Sequence, residues 1–299
     1  MEIRQLKYFV SVAETSSFSE ASRRCFLSQS AISQQIRALE DELGTTLFLR
    51  NPHKVTMTES GEELLPLARQ ALKSFETCRE HINNLHGMLC GQLNIGMSSF
   101  IEPYIRQAAI MMLKQYPNVR LNLMYLTTPE LNRLLQNHEL DVAFSINKAN
   151  IDEGIESTPA MTFHLRAVMR STHPLASLEK VKFEDLLNFS IVMPEIGSRV
   201  IKSVRRYLDV DIERLKTRVV VNDPNAALNL LHDTNFITFL PARYADNRPM
   251  IVAKEIEGLE MPLQSYAHWM QDICQKRSAE AFLKIIKEYS VPYCQSMGL

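Results

Sequence analysis

The stretch Ser17-Phe18-Ser19-Glu20-Ala21-Ser22-Arg23-Arg24-Cys25-Phe26-Leu27-Ser28-Gln29-Ser30-Ala31-Ile32-Ser33-Gln34-Gln35-Ile36-Arg37-Ala38-Leu39-Glu40-Asp41-Glu42-Leu43-Gly44 carries the decisive pattern. Ser17 and Glu20 have the spacing of a capping box, in which Ser17 caps and Glu20 reaches back. That predicts a short helix from about Phe18 to Cys25, turned by Phe26-Leu27. Ser28 can cap the next helix, whose apolar stripe of Ile32, Ile36, Leu39 and Leu43 stops at Gly44. Its opposite face carries Ser30, Ser33, Gln34 and Arg37. A short helix, a tight turn and an amphipathic helix with a polar outer face make a helix-turn-helix pattern.

Upstream, Leu6, Phe9, Val10 and Ala13 form another helical stripe. Downstream, Leu47 to Thr58 has extended character around Asn51-Pro52-His53, which suits a β-wing. From Thr58 to about Leu89 the chain reads as one helix with the seam Leu64, Ala68, Ala71, Phe75, Cys78, Ile82, Leu85, Leu89. Steps of four and three over almost four heptads imply a partner helix. Glu59, Glu62 and Glu63 suit its positive end, and Gly87 and Gly91 mark its stop. Beyond Gly91, strands Gln92–Met97, Val119–Leu126 and Leu140–Ile146 alternate with helices Pro103–Gln115 and Thr128–Asn137. That order predicts a parallel sheet flanked by helices. Further segments follow at Phe163–Met169, Phe183–Leu187, Ile191–Met193, Arg199–Tyr207, Thr217–Val221, Ala226–His232 and Ala279–Tyr289.

A chain that is 45% hydrophobic and 22% charged has the balance of a soluble globular protein. Its apolar runs are far short of a bilayer span, and Met1–Val10 lacks a signal core, so a cytoplasmic protein without membrane attachment is expected. Cys25, Cys78, Cys90, Cys274 and Cys294 show no metal spacing, and free thiols are expected, with Cys25 and Cys78 as small buried hydrophobes. No cofactor motif and no nucleophile–base–orienter pattern appears, which speaks against an enzyme. The net charge of −1 gives no sign of nucleic-acid binding, so any such role depends on where charges sit.

Leu6-x-x-Phe9, Ala13-Glu14-x-x-Ser17-Phe18-Ser19-x-Ala21 and Ser28-Gln29-Ser30-Ala31-Ile32-Ser33-x-Gln35-Ile36-x-x-Leu39-Glu40-x-x-Leu43-Gly44-x-x-Leu47-Phe48-x-Arg50 closely resemble the LysR-type transcriptional regulators. Thr58-x-x-Gly61, Leu93-x-Ile95-Gly96, Tyr116-Pro117-x-Val119, Leu140-Asp141-Val142-Ala143 and His173-Pro174-Leu175-Ala176 extend the likeness over the whole chain. The resemblance implies an α/β protein: a winged helix-turn-helix (1–58), a dimerising linker helix (59–90) and a two-lobed effector domain (91–299) like a periplasmic binding protein. Lobe I takes in about 91–162 and 266–299, and lobe II about 163–265. It also implies dimers or dimers of dimers on inverted repeats in double-stranded DNA, with RNA polymerase as a further candidate partner. Two departures stand out. Cys25 replaces a usual Leu, and His232-Asp233-Thr234-Asn235-Phe236 lacks the family's glycine, leaving Asn235 to adopt a left-handed turn.

A recognition helix presents its N-terminal residues to base edges. Gln29, Ser30, Ser33, Gln34 and Arg37 have the right chemistry: amides for adenine, Arg for guanine, hydroxyls for either base or phosphate. Ser17 and Ser19, at a helix start, suit a phosphate, and Arg50 and Lys54 flank the wing turn. For the effector, Ser98, Ser99 and Phe100 follow the first strand and Thr128 the second. Hydroxyls and N–H groups at those helix starts would suit a small carboxylate. Asn147, Met193 and Pro194 supply the facing wall by resemblance. The alternatives are a cysteine-oxidation switch and, from a different class, a solute-binding module or enzyme. Peroxide-sensing members of the family carry reactive cysteines in the second lobe, and residues 163–265 here contain none.

Overall fold

The computed structural model describes residues 1–51, 54–84, 89–148, 154–194, 202, 205, 212–259, 262–272 and 275–295. Helices α1 (Ile3–Thr15), α2 (Phe18–Cys25) and α3 (Gln29–Leu43) close around Leu6, Phe9, Val12, Phe18, Ala21, Ile32, Ile36 and Leu39. The centre of the first stripe is therefore Val12 rather than Ala13, which sits at its margin, and Leu43 is exposed on an overhanging last turn. Strands β1 (Phe48–Asn51) and β2 (Lys54–Met57) pair antiparallel as the wing. Phe48 anchors that hairpin, with ring centroids 5.4 Å from Phe9 and 5.8 Å from Phe18. Buried Glu40 accepts the Leu47 and Phe48 N–H groups at 2.8 and 3.2 Å, tying wing to recognition helix. Of the expected capping box only half forms. Ser17 accepts the Glu20 N–H, while the Glu20 carboxylate turns outward to Arg23 at 2.7 Å.

Helix α4 runs Glu59–Asn84. A Cβ on Gly61 would stand 2.4 Å from the Leu47 carbonyl oxygen, so the start of this helix needs glycine to pass the wing. Pro66 lies inside it and gives up one i→i−4 bond. The expected seam divides. Leu64 and Ala68 pack into the helix-turn-helix core and Leu89 against the large core beyond, whereas Ala71, Phe75, Cys78 and Ile82 face outward. Leu85 falls outside the described residues. Cys78, expected to be buried, is thus exposed in the single chain.

After α4, one sheet has the order β4-β3-β5-β13-β6. It comprises β3 (Gly91–Met97), β4 (Val119–Tyr125), β5 (Val142–Ser145), β6 (Ile155–Phe163) and β13 (Leu263–Met270). The parallel β3, β4 and β5 are linked by α5 (Glu102–Gln115) and α6 (Thr128–Gln136), and a final helix, α9 (Arg277–Gln295), packs on the same lobe. The second sheet has the order β10-β9-β11-β7-β12-β8. Its strands are β7 (Leu165–Arg170), β8 (Lys180–Val181), β9 (Ser190–Pro194), β10 (Lys216–Val221), β11 (Ile237–Pro241) and β12 (Ile251–Ile256), with α7 (Phe183–Leu186) and α8 (Pro224–His232). Both sheets are mixed rather than parallel: β13 runs antiparallel to β5 and β6, and β7 to β11 and β12. Asn235 does not take the left-handed conformation. Thr234 makes the turn instead, donating to the Leu230 carbonyl at 2.6 Å and accepting the Phe236 N–H at 3.3 Å. The expected helix Arg199–Tyr207 lies almost wholly outside the described residues.

Candidate functional site

The first site is the exposed face of α3. Ser28 caps it by accepting the Ala31 N–H at 3.1 Å, leaving the first turn unobstructed. Gln29, Ser30, Gln34 and Arg37 are exposed and Ser33 half-buried on one face. Gln34 and Arg37 have no protein partner among the described residues, and such side chains are available to base edges. Ser19 donates to the side-chain amide oxygen of Gln29, Oε1, at 2.8 Å, which orients that amide. Its hydroxyl proton is thus committed to Gln29 rather than to a phosphate. Ser17 accepts a backbone N–H and keeps its own proton for one. Arg50 and Lys54 stand opposite sides of the wing turn on β1 and β2, and their side chains lie outside the described residues. Phe26, between α2 and α3, holds a left-handed backbone with its ring exposed.

The second site is a cleft of about 630 Å³ between the two sheets, lined by Ser98, Ser99, Phe100, Thr128, Asn147 and Pro194. Met193 is not part of it. Strand alternation turns it into the core while its neighbour Pro194 faces the cleft. Ser99 already spans the lobes, its hydroxyl donating to the Asn222 carbonyl at 3.4 Å and its carbonyl accepting from the Tyr244 hydroxyl. Burial raises the Tyr244 phenol far above its ordinary range, so it acts as a permanent donor. Ser98 Oγ and Thr238 Oγ1, one from each lobe, are buried at the cleft with no hydrogen-bond partner among the described residues. Such groups cost free energy until something satisfies them.

The helix starts differ from expectation. The cap of α6 is Thr127, not Thr128, and both the Thr127 N–H and hydroxyl donate to Glu130, at 2.8 and 2.6 Å. Those bonds hold the Glu130 carboxyl below its usual range. Asp223 similarly caps α8, accepting the Asn225 N–H at 3.0 Å. The chain's own carboxylates thus fill the positive ends of α6 and α8, and among the described helix starts at the cleft the Ser98-Ser99 start is the one that no acidic side chain caps. Glu130 was legible as Thr127-x-x-Glu130, a capping box; Thr238 and Tyr244 carried no local signal.

Behind the cleft, Asn147 Nδ2 donates to Thr128 Oγ1 at 3.4 Å, and Ser145 donates to the Asn147 carbonyl at 2.8 Å. The Ser145 oxygen then faces His268 Nε2 at 3.0 Å, with Ser157 on Nδ1 at 2.8 Å. Cys25 and Cys90 are half-buried free thiols; Cys274 and the Cys294 side chain lie outside the described residues. No described helix is long and apolar enough to cross a membrane.

Comparison with known proteins adds three findings. The sequence profile described as "Bacterial regulatory helix-turn-helix protein, lysR family" matches residues 3–62, and that of the "LysR substrate binding domain" matches 86–290. A hydrogen peroxide-inducible genes activator of Pectobacterium carotovorum is 32% identical over 198 residues, which are 66% of this chain and 65% of that relative's length. Among solved structures, a full-length OxyR variant from Pseudomonas aeruginosa superposes with TM-score 0.69 at 20% identity, covering 96% of this chain and 98% of that one. Full-length CbnR in complex with its target DNA superposes with TM-score 0.59 at 22% identity, covering 97% of this chain and 100% of that one.

Proposed function

This chain belongs to the LysR family of DNA-binding transcriptional regulators, and on that premise we propose that it works as a dimer or dimer of dimers whose interlobe cleft takes a small polar effector. Residues 1–58 read DNA, 59–90 pair the protomers and 91–299 sense. The observation that carries the effector reading is the pair of buried hydroxyls, Ser98 and Thr238, on opposite walls of the cleft and without a hydrogen-bond partner among the described residues. An effector that bridges them satisfies both at once and favours the closed lobes over the open ones. A carboxylate on that effector belongs at Ser98-Ser99, because Glu130 would repel it at α6. Peroxide sensing, which the name of one relative suggests, fits less well, since residues 163–265 contain no cysteine.

Bases are read by α3. Gln34→Ala should weaken operator binding by about 1–3 kcal/mol and leave binding to random DNA nearly intact. Arg50→Ala should weaken both, as loss of a backbone contact does. Fluorescence anisotropy on the two DNAs decides: equal losses for Gln34→Ala would mean that another face of the helix reads the bases.

The cleft reading has its own test. Ser98→Ala combined with Thr238→Val removes two unsatisfied groups at little change of shape, so the unliganded protein should keep its stability or gain about 1 kcal/mol per site. A metabolite that stabilises the wild type in a thermal-shift screen should bind the double variant at least about tenfold more weakly. Unchanged affinity would move the effector out of this cleft.

A further inference from the structure

Helix α6 and strand β5 are joined by residues 137–141, and both of their free ends reach the cleft. At one end Thr128 opens α6; at the other, Asn147 follows β5 and donates to Thr128 at 3.4 Å. The connecting turn sits about 13 Å away, the length of nine helical residues. There it is gripped by α4. Lys73 donates to the carbonyls of His138, at 3.4 Å, and Leu140, and pairs with Asp141 at 3.1 Å. Lys276 approaches the same Asp141 at 3.4 Å and Glu80 of α4 at 3.6 Å. Arg69, also on α4, holds Glu139 of the turn at 2.9 Å and Glu14 of α1 at 3.1 Å. One guanidinium therefore bonds the DNA-binding unit and the sensor together.

One face of this segment packs apart from the large core, while Val142 and Phe144 of β5 belong to that core and the strand is bonded to β3 and β13. Leu131, Leu134 and Leu135 of α6 with Leu140, Ala143 and Ile155 form a cluster separate from the large core. Gly96 lets it seat closely, since a Cβ there would meet Leu131 and Leu140 at 2.5 and 2.6 Å. We infer that α6, residues 137–141 and β5 form a stiff arm that carries the state of the cleft to α4, where Lys73 and Arg69 convert its displacement into a change of linker and α1 position. A stiff element held at the cleft and at its tip passes a shift of one end to the other, together with the strands β3 and β13 bonded to it, and the buried charges at its tip leave few alternative partners. The ligand-dependent use of the arm rests on the cleft reading above, whereas the mechanical coupling exists without any ligand and is tested without one.

The test is hydrogen exchange by mass spectrometry on the full chain. Glu139→Gln, at a partly exposed position, weakens the tip without touching the core; Lys73→Met removes the central grip. Each should speed exchange of the cleft-facing ends, residues 127–131 and 142–147, by about three- to tenfold, with β9 and β10 of the other lobe unchanged. The reciprocal variant, Asn147→Ala, should speed exchange in residues 68–77 of α4. Acceleration confined to residues 137–141, or spread equally over both lobes, would overturn the arm. Loss of effector binding with the exchange pattern intact would instead strike at the cleft reading alone.

Discussion

Phe75→Asp is expected to yield folded protomers that no longer pair, and operator binding should be lost with pairing. In the single chain Phe75 is 50% exposed and Ile82 61%. Leu67, Ala71, Phe75, Cys78 and Ile82 follow one another at steps of four and three along the uncovered face of α4. An apolar stripe of that spacing is what a second helix covers. Because the ring packs into neither core of its own chain, the substitution spares the fold. In the pair, it would bury two unpartnered carboxylates facing each other, at a cost of several kcal/mol, or more than about a hundredfold in association. Half-sites one helical turn apart need two linked readers, so each detached protomer keeps only weak, salt-sensitive binding. Light scattering and gel shift measure both effects. A variant that remained dimeric and operator-bound would remove α4 as the pairing surface.

The same helix shows where the sequence stops being readable. Its heptad spacing was plain, but spacing alone does not tell which body covers each position. Leu64 and Ala68 meet α1–α3 and Leu89 the large core beyond α4, so the stripe left for a partner helix is shorter than the repeat. The helix-turn-helix was legible almost to the residue, because caps, period and stop at Gly44 are local signals. Strands β6, β12 and β13 carried no such signal. In β6, Pro159 and the polar run Glu156-Ser157-Thr158 before it break any apolar alternation; the strand tolerates the proline at a register shift opposite Ser265 and Tyr266. In β13 the inward positions include Ser265 and His268, polar groups buried through bonds that only the fold supplies, such as Ser265 to the Met161 carbonyl at 3.1 Å. At the cleft, the residues following each parallel strand were predictable from topology. Thr238 and Tyr244 were not, since they arrive from the far lobe.

His268 leads to the second large expected effect, a loss of stability on mild acidification. Ser145 commits its proton to the Asn147 carbonyl, so Nε2 must donate to Ser145 and Nδ1 must accept from Ser157. That network fits a neutral imidazole. Burial disfavours the charged ring and lowers its pKa to about 4, with the Asn147 backbone working weakly the other way. Above pH 6.5, the ordinary value, both folded and unfolded chains hold the ring neutral and pH has no effect through it. As pH falls below that, the unfolded chain takes up a proton that the folded one refuses. Stability is then lost until the folded ring also protonates near pH 4, by about 3 kcal/mol in total. His138, His164 and His173 are also lowered by burial, so they tilt the curve the same way. Urea unfolding of the wild type between pH 7 and 4.5 should therefore show a steady decline. His268→Gln, which cannot titrate, should begin less stable at pH 7, with the hydroxyls of Ser145 and Ser157 poorly matched, and then decline less steeply. Equal slopes for the two proteins would mean that the ring is hydrated or already charged in the folded state. The tie it makes between β5, β13 and β6, behind the Asn147 wall of the cleft, would then need another account.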